Sequence, residues 1–353
     1  MVSLRPLLIF SLLSLSGCAK VSYLWDQGWG QVSLLNSARP NAEVLKDSDV
    51  SQENKEKIKK IEELKAYFYQ YWGRPATGIY SETTLLESKA VTHLVIASPY
   101  SEIKAIDNCF PFMGCFPYLG FFSKEKAHDH ATELEGQNYE THVRPVYAYS
   151  TLGYFEDKIL SSFFYFEDFA LTEMIFHELF HTIFFAKDEV SLNEALANHF
   201  SRLMAFEYYN LSDSEKKVRI DERAKNAALS ATFASEVRLF NEFLKEKDVK
   251  DKETLEKLRQ NYLEEVLFPR VKEFCARENL TNCFPLKRSW NNASMAAFMT
   301  YEDKGSRIEE LQEKLDLDLK GYFNHIEAAY DQYKKLDIDP KTQKFGEWLF
   351  NNI

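Results

Sequence analysis

Residues 175–185 read Ile-Phe-His-Glu-Leu-Phe-His-Thr-Ile-Phe-Phe, an apolar run broken by His177, Glu178, His181 and Thr182. Residues four apart share one face of a helix, so the spacing predicts His177 and His181 side by side. Met174, Ile175, Phe176, Leu179, Phe180, Ile183 and Phe184 surround them almost all round, which predicts a helix buried at the centre of a domain. Two imidazoles in such a place require a partner. Four residues apart, they can offer two nitrogens to one Zn²⁺. Glu178 then stands beside the first ligand, where a carboxylate can take a proton from water activated by the metal. The competing reading is a core helix whose histidines hydrogen-bond to neighbours. With 8 His in 353 residues, a chance H-E-x-x-H is on the order of a one per cent event.

A third ligand decides between these readings. Glu194 follows in Ser191-Leu-Asn-Glu194-Ala-Leu-Ala-Asn198, and Lys187-Asp188-Glu189 reads as a polar turn. A second helix running back past the first would aim Glu194 at the same ion. Two His and one Glu with one open position form a catalytic zinc arrangement. Ser191-x-x-Glu194 also fits a capping box, which needs no metal. The buried histidine pair favours the metal reading. Asn198, one turn after Glu194, can orient a ligand histidine, or simply lie on a helix face.

The N-terminus has Arg5, then the apolar stretch Pro6–Leu15, then Ser16-Gly17-Cys18. This is the pattern of a secretory signal. It is too short for a spanning helix, which needs about 20 apolar residues. Leu15-Ser16-Gly17-Cys18 resembles the lipobox of bacterial lipoproteins. That resemblance implies cleavage before Cys18 and a lipid anchor on its sulfur, with Ala19 pointing to the periplasmic face of the outer membrane. More than one acyl chain makes such anchoring stable.

The remaining cysteines are Cys109, Cys115, Cys275 and Cys283. An even count in an exported chain predicts disulfides, and the short spacings favour Cys109–Cys115 and Cys275–Cys283. A four-thiolate metal site is the alternative, but neither pair has C-x-x-C spacing. Residues 1–17 carry one Arg and no acid, so their loss moves the net charge from −11 to −12. That charge argues against nucleic acid or an anionic membrane face as a partner.

Along the mature chain, residues 19–45 begin a tethering helix. Residues 51–72 carry Ile58, Ile61, Leu64, Phe68 and Trp72 at helical spacing and end at Gly73. Val91–Ala97 reads as a buried strand with His93 packed inside it. Lys124–Gly136 reads as a helix. Thr141–Tyr149 alternates like an edge strand, with Pro145 placing it at a sheet border. A free edge there can pair with a peptide backbone, with Tyr147, Tyr149 and Ser150–Gly153 as the candidate wall. Ser212–Arg277 is helical and highly charged. The expected fold is α+β: a small mixed sheet, an edge strand beside the motif helix, and a mostly helical C-terminal part. The expected organisation is a signal at 1–17 and one enzyme domain at 18–353. Within it, 19–210 carries the sheet and zinc site and 211–353 forms a helical subdomain.

These features together resemble the bacterial lipoprotein family of predicted aminopeptidases, built on the zincin fold. The resemblance rests on Gly30-Gln31, Arg39-Pro40, Cys109-Phe110-Pro111 with Gly114-Cys115, and Ala148–Gly153. It continues through Ile175–Leu179 with His181, Asn193-Glu194, Asn291-Asn292-Ala293 and Tyr301. It implies a membrane-anchored zinc peptidase acting on peptide substrates. His177, His181 and Glu194 would hold Zn²⁺, Glu178 would be the general base, and Tyr301 and Tyr149 would be the oxyanion donors. The chain has no G-x-M-E-N segment, the amine-recognising motif of the best-known zinc aminopeptidases. The alternative function is a non-catalytic envelope lipoprotein with a structural or vestigial metal site. An intact Glu178 favours the enzyme, since a structural site needs no base.

Overall fold

A computed structural model describes residues 23–110, 114–147, 156–300, 306–336 and 343–352, without the side chains of Thr300 and Ser306. Helix α1 covers residues 23–36 and leads into β1 (Arg39–Pro40) and the one-turn α2 (Asn41–Val44). Helix α3 (Gln52–Trp72) starts where Ser51 Oγ accepts the Asn54 N–H, at 3.2 Å, which satisfies one of the unpaired first-turn donors. It stops at Gly73, whose φ of 61° is left-handed, a conformation glycine adopts without a Cβ clash. Ile58, Ile61, Leu64 and Phe68 are buried along one face, as the 3.6-residue spacing requires.

Among the described residues, eight short strands form three sheets. β1 pairs antiparallel with β2 (Glu82–Thr84), which pairs parallel with β8 (Ile159–Leu160). β3 (Thr92–Pro99) lies between β6 (Leu119–Phe121) and β7 (Tyr139–Val146), antiparallel to both. β4 (Asn108–Phe110) and β5 (Gly114–Phe116) form a hairpin with Cys109 opposite Cys115, and these two are disulfide-bonded. The second expected bridge, Cys275–Cys283, is also present.

The expected edge strand is β7, at the border of its sheet among the described residues. Two details differ from the expectation. Among the described residues, parallel pairing is confined to β2 and β8, and the sheet that holds β7 is antiparallel. Helix α4 (Lys124–Glu135) covers one face of that sheet, placing Ala127 and Ala131 against Val95, Phe121 and Val143. The other face meets Ala293 and Ala297 of α10 (Asn292–Thr300). β7 therefore reaches the core of the motif helix at its end, through Val146, and not along its length.

The motif helix is α5 (Asp168–Phe180), followed by the antiparallel α6 (Val190–Tyr208). After them come α7 (Asp213–Lys247), α8 (Lys252–Tyr262), a π-helical turn at Leu263–Leu267, and α9 (Phe268–Arg277). Beyond α10 lie α11 (Ser306–Leu315), α12 (Leu319–Lys335) and α13 (Phe345–Asn351).

The helices after residue 210 divide between two cores. α7–α10 bury Phe233, Phe240, Leu267 and Trp290 with Tyr100 and Ile103. α11–α13 return to the first core and bury Tyr322, Phe323, Ile326 and Phe345 against α3, α5 and α6. Between the cores, Arg259 Nη1 donates to both carboxylate oxygens of Glu140 at 2.8 and 2.7 Å, and Glu140 Oε2 also accepts the Asn292 N–H at 2.7 Å. Both charged residues are at most 9% exposed, so the pair holds the β7 edge to α8 and α10.

Candidate metal centre

Ile175, Phe176 and Leu179 of α5 are fully buried and Phe180 is 1% exposed. Phe180 stacks on Phe200 of α6 with ring centroids 4.9 Å apart, a favourable offset geometry that fixes how the two helices face. Helix α5 ends at Phe180. His181 occupies the C-cap but stays in the helical region, with φ −60° and ψ −19°. Its side chain therefore keeps the same face as His177.

The return of the chain depends on Asn193, which is 1% exposed. Its Oδ1 accepts the Ala186 N–H at 2.8 Å and its Nδ2 donates to the Ala186 carbonyl at 2.7 Å. This closes the loop between α5 and α6 and sets the start of α6. The loop is held from outside as well. Tyr330 Oη accepts the Lys187 N–H, and Glu189 Oε1 accepts the Gly346 N–H. Helix α6 begins at Val190 with Glu189 at its N-cap and no side-chain cap. The Ser191–Glu194 capping box does not form, because Ser191 already lies inside the helix. The Glu194 side chain instead turns toward the histidines.

Glu194 Oε2 lies 3.2 Å from His177 Nε2 and Oε1 lies 3.4 Å from His181 Nε2. The two Nε2 atoms are 3.2 Å apart. A tetrahedral zinc bonded at about 2.0–2.1 Å separates its donors by about 3.3–3.4 Å. The three measured edges match that triangle. No other grouping of three or more His, Cys, Asp or Glu side chains among the described residues has this arrangement. Two imidazole nitrogens aimed at each other and at a carboxylate form a donor set suited to a cation. The residues therefore fit a zinc ion.

The side chains around the donors set their charge. Burial opposes a proton on His177, and Glu194, Glu178 and Asn198 together outweigh it, raising its pKa. Burial and the neighbouring His177 push His181 down to about 4, against the pull of Glu194. The hydrogen bond from His177 lowers the Glu194 pKa despite partial burial. Asn198 Oδ1 lies 3.1 Å from His177 Nδ1. As acceptor it keeps the proton on Nδ1 and leaves the Nε2 lone pair toward the other donors. His181 Nδ1 is buried without a partner.

Glu178 is half-buried, and its charge acts on His177 and on Tyr80. Tyr80 is buried, and burial first and Glu178 second raise its pKa far above the usual value. A cavity of about 260 Å³ beside His177 is lined by Glu173, Met174, Asn198, Ser201 and Arg223. Burial raises the Glu173 pKa, opposed by Arg223, Arg202 and Arg219. The sequence marked Asn193 only as part of the family resemblance, without its clamp on Ala186, and did not single out Glu173 or Arg223. Glu173 had a signal, since it lies one turn before His177. Arg223 comes from a distant helix and had none.

Tyr147 is 40% exposed at the end of β7, where its carbonyl accepts Ser162 Oγ. Tyr149, Tyr301, Ser150–Gly153, Cys18 and the signal at 1–17 lie outside the described residues.

A family model described as "Putative aminopeptidase" matches residues 22–343. No curated protein matches the chain, and no solved structure does.

Proposed function

Because this chain belongs to the putative aminopeptidase family, we propose that it is a zinc peptidase of zincin-like fold with Glu178 as its general base. The observation that carries this reading is the convergence of His177 Nε2, His181 Nε2 and a Glu194 carboxylate oxygen at zinc-like separations, 3.2–3.4 Å. Bound by these three residues, zinc would supply Lewis acidity and lower the pKa of a water to about 7.

The chain's own residues do the rest. Glu178 takes a proton from the attacking water and returns it to the nitrogen of the leaving amine. It is not a ligand in this reading. Asn198 holds His177 in the tautomer that presents Nε2. Tyr149 and Tyr301 are the proposed donors to the oxyanion of the tetrahedral intermediate. The substrate is a peptide, and the end of β7 at Val146 and Tyr147 is the proposed edge for its backbone.

No helix among the described residues is long and apolar enough to cross a membrane. We assign attachment to acylation of Cys18, on the periplasmic side of the outer membrane.

The test is Glu178→Gln, which keeps side-chain size and removes proton acceptance. We expect kcat on a peptide to fall about 10²–10⁴-fold, with zinc still bound one per chain. Unchanged kcat would remove Glu178 from the mechanism. No hydrolysis by zinc-loaded wild type on a broad peptide set would favour a non-catalytic envelope lipoprotein.

A further inference from the structure

Helix α1 is fixed to the body by one face. Tyr23 Oη donates to the Gly120 carbonyl at 2.9 Å, and its ring packs on Phe110 and Phe121. Asp26 pairs with Lys126 at 2.7 Å. A Cβ on Gly30 would overlap the Phe122 ring at 2.2 Å, so the helix approaches as closely as a glycine allows.

The opposite face is unusual. Leu24, Trp25, Trp29 and Val32 are 40%, 74%, 68% and 48% exposed. Trp25, Trp29 and Val32 follow i, i+4, i+7 spacing, so they form one stripe. The other exposed positions on this face are Gly28, Ser33 and Asn36, and none of the exposed residues is charged. Exposed helix faces elsewhere in the molecule look different: α3 shows Glu53, Glu56, Lys59, Glu62 and Glu63 to solvent. Two exposed tryptophans on an uncharged stripe, flanked by the mutually paired Asp26 and Lys126, have the composition of a helix face at a membrane interface, where an amphipathic ring sits at headgroup level.

Position in the chain selects the occupant. Cys18 precedes Tyr23 by five residues, which span at most about 18 Å. A chain anchored at Cys18 would hold α1 at the bilayer surface throughout.

We propose that the outer face of α1 is a membrane-docking surface that lies in the lipid interface through Trp25, Trp29, Leu24 and Val32. The surface rests on the anchor reading for its constant proximity to lipid, and on the exposed stripe for its affinity. The face carries no Lys or Arg and the mature chain has a net charge of −12 from the −11 of the full chain less the signal's one Arg. Its binding therefore does not depend on anionic lipid. Docking orients the body about the α1 axis, which a lipid anchor alone would not do.

The test uses the mature chain from residue 18, prepared without acyl chains, and vesicles of phosphatidylcholine with or without phosphatidylglycerol. We expect the protein to partition onto both kinds of vesicle with a blue-shifted tryptophan emission. Trp25→Ser with Trp29→Ser should weaken partitioning about tenfold or more, with thermal stability and peptide hydrolysis in solution unchanged. Absence of wild-type partitioning, binding to anionic vesicles only, or an unaffected double variant would each overturn the proposal. Sedimentation without lipid adds one arm: a dimer abolished by the same double variant would assign the stripe to a second copy and also overturn it. Mass spectrometry of the exported protein judges the anchor separately. An unacylated Cys18 would end the anchor reading, while the vesicle result still decides the stripe.

Discussion

Asn198 shows how much one amide can control. Its Oδ1 faces His177 Nδ1 at 3.1 Å, and a ligand imidazole without such a partner loses its fixed tautomer. Asn198→Ala should weaken zinc binding about 10–100-fold, read by competition with a chromophoric chelator. Asn198→Asp should retain affinity, because it keeps the acceptor. The neighbouring His199 has a different role. It is buried, its Nε2 meets Gln312 Oε1, and burial pushes its pKa down to about 4 with Gln312 opposing and Arg202 assisting. An unfolded histidine titrates near 6.5. Between these values the unfolded chain takes up a proton that the folded chain refuses, so stability falls as pH drops from about 6.5 toward 4. His199→Gln should flatten that slope in thermal melts at several pH values. An identical slope in the variant would assign the acid sensitivity elsewhere.

The α5–α6 hairpin is the element on which the site depends. Helix spacing alone places His177 and His181, but Glu194 arrives only because Asn193 clamps both backbone groups of Ala186. Asn193→Leu removes two hydrogen bonds and leaves a buried N–H and C=O unpaired, each costing about 1–3 kcal/mol. We expect reduced stability in urea and, separately, weaker zinc binding because the start of α6 shifts. Full zinc affinity in this variant would show that the hairpin is set by its helix packing instead. At the sheet border, Arg259→Met would strand the Glu140 carboxylate in a site where both residues are at most 9% exposed. Loss of one partner from such a pair costs about 3–5 kcal/mol, measurable as a lowered urea midpoint.

At the scale of the whole molecule, the first core joins α3, α5 and α6 to α11–α13, residues more than a hundred positions apart in sequence. The proposed metal donors His177, His181 and Glu194 sit on or at the end of two of those helices. An ion bound by the folded chain alone stabilises it by mass action, about 2.7 kcal/mol at a hundredfold excess over Kd. Removing zinc with a chelator should therefore lower the melting temperature of wild type. The same treatment should leave Glu194→Ala almost unchanged. Equal shifts in both proteins would place the ion elsewhere.

The pattern of the chain was enough to locate several things. Apolar spacing located α3 between Ser51 and Gly73, because caps and periodicity act within a few residues. The i, i+4 spacing of His177 and His181 in an apolar run marked the candidate centre for the same reason. The short loops marked Cys109–Cys115 and Cys275–Cys283. Tertiary structure decided what local rules could not. Ser191 and Glu194 fit a capping box in sequence, but the Asn193 clamp starts α6 at Val190 and frees Glu194 for the histidines. The sheet expected along the motif helix is covered by α4 and α10, whose alanines allow close approach on both faces. Trp25 and Trp29 read as part of a tethering helix. Only the packing of Tyr23, Asp26 and Gly30 against the body shows that the tryptophans point outward. Local spacing tells which residues share a face. Which face is covered depends on partners far away in the chain.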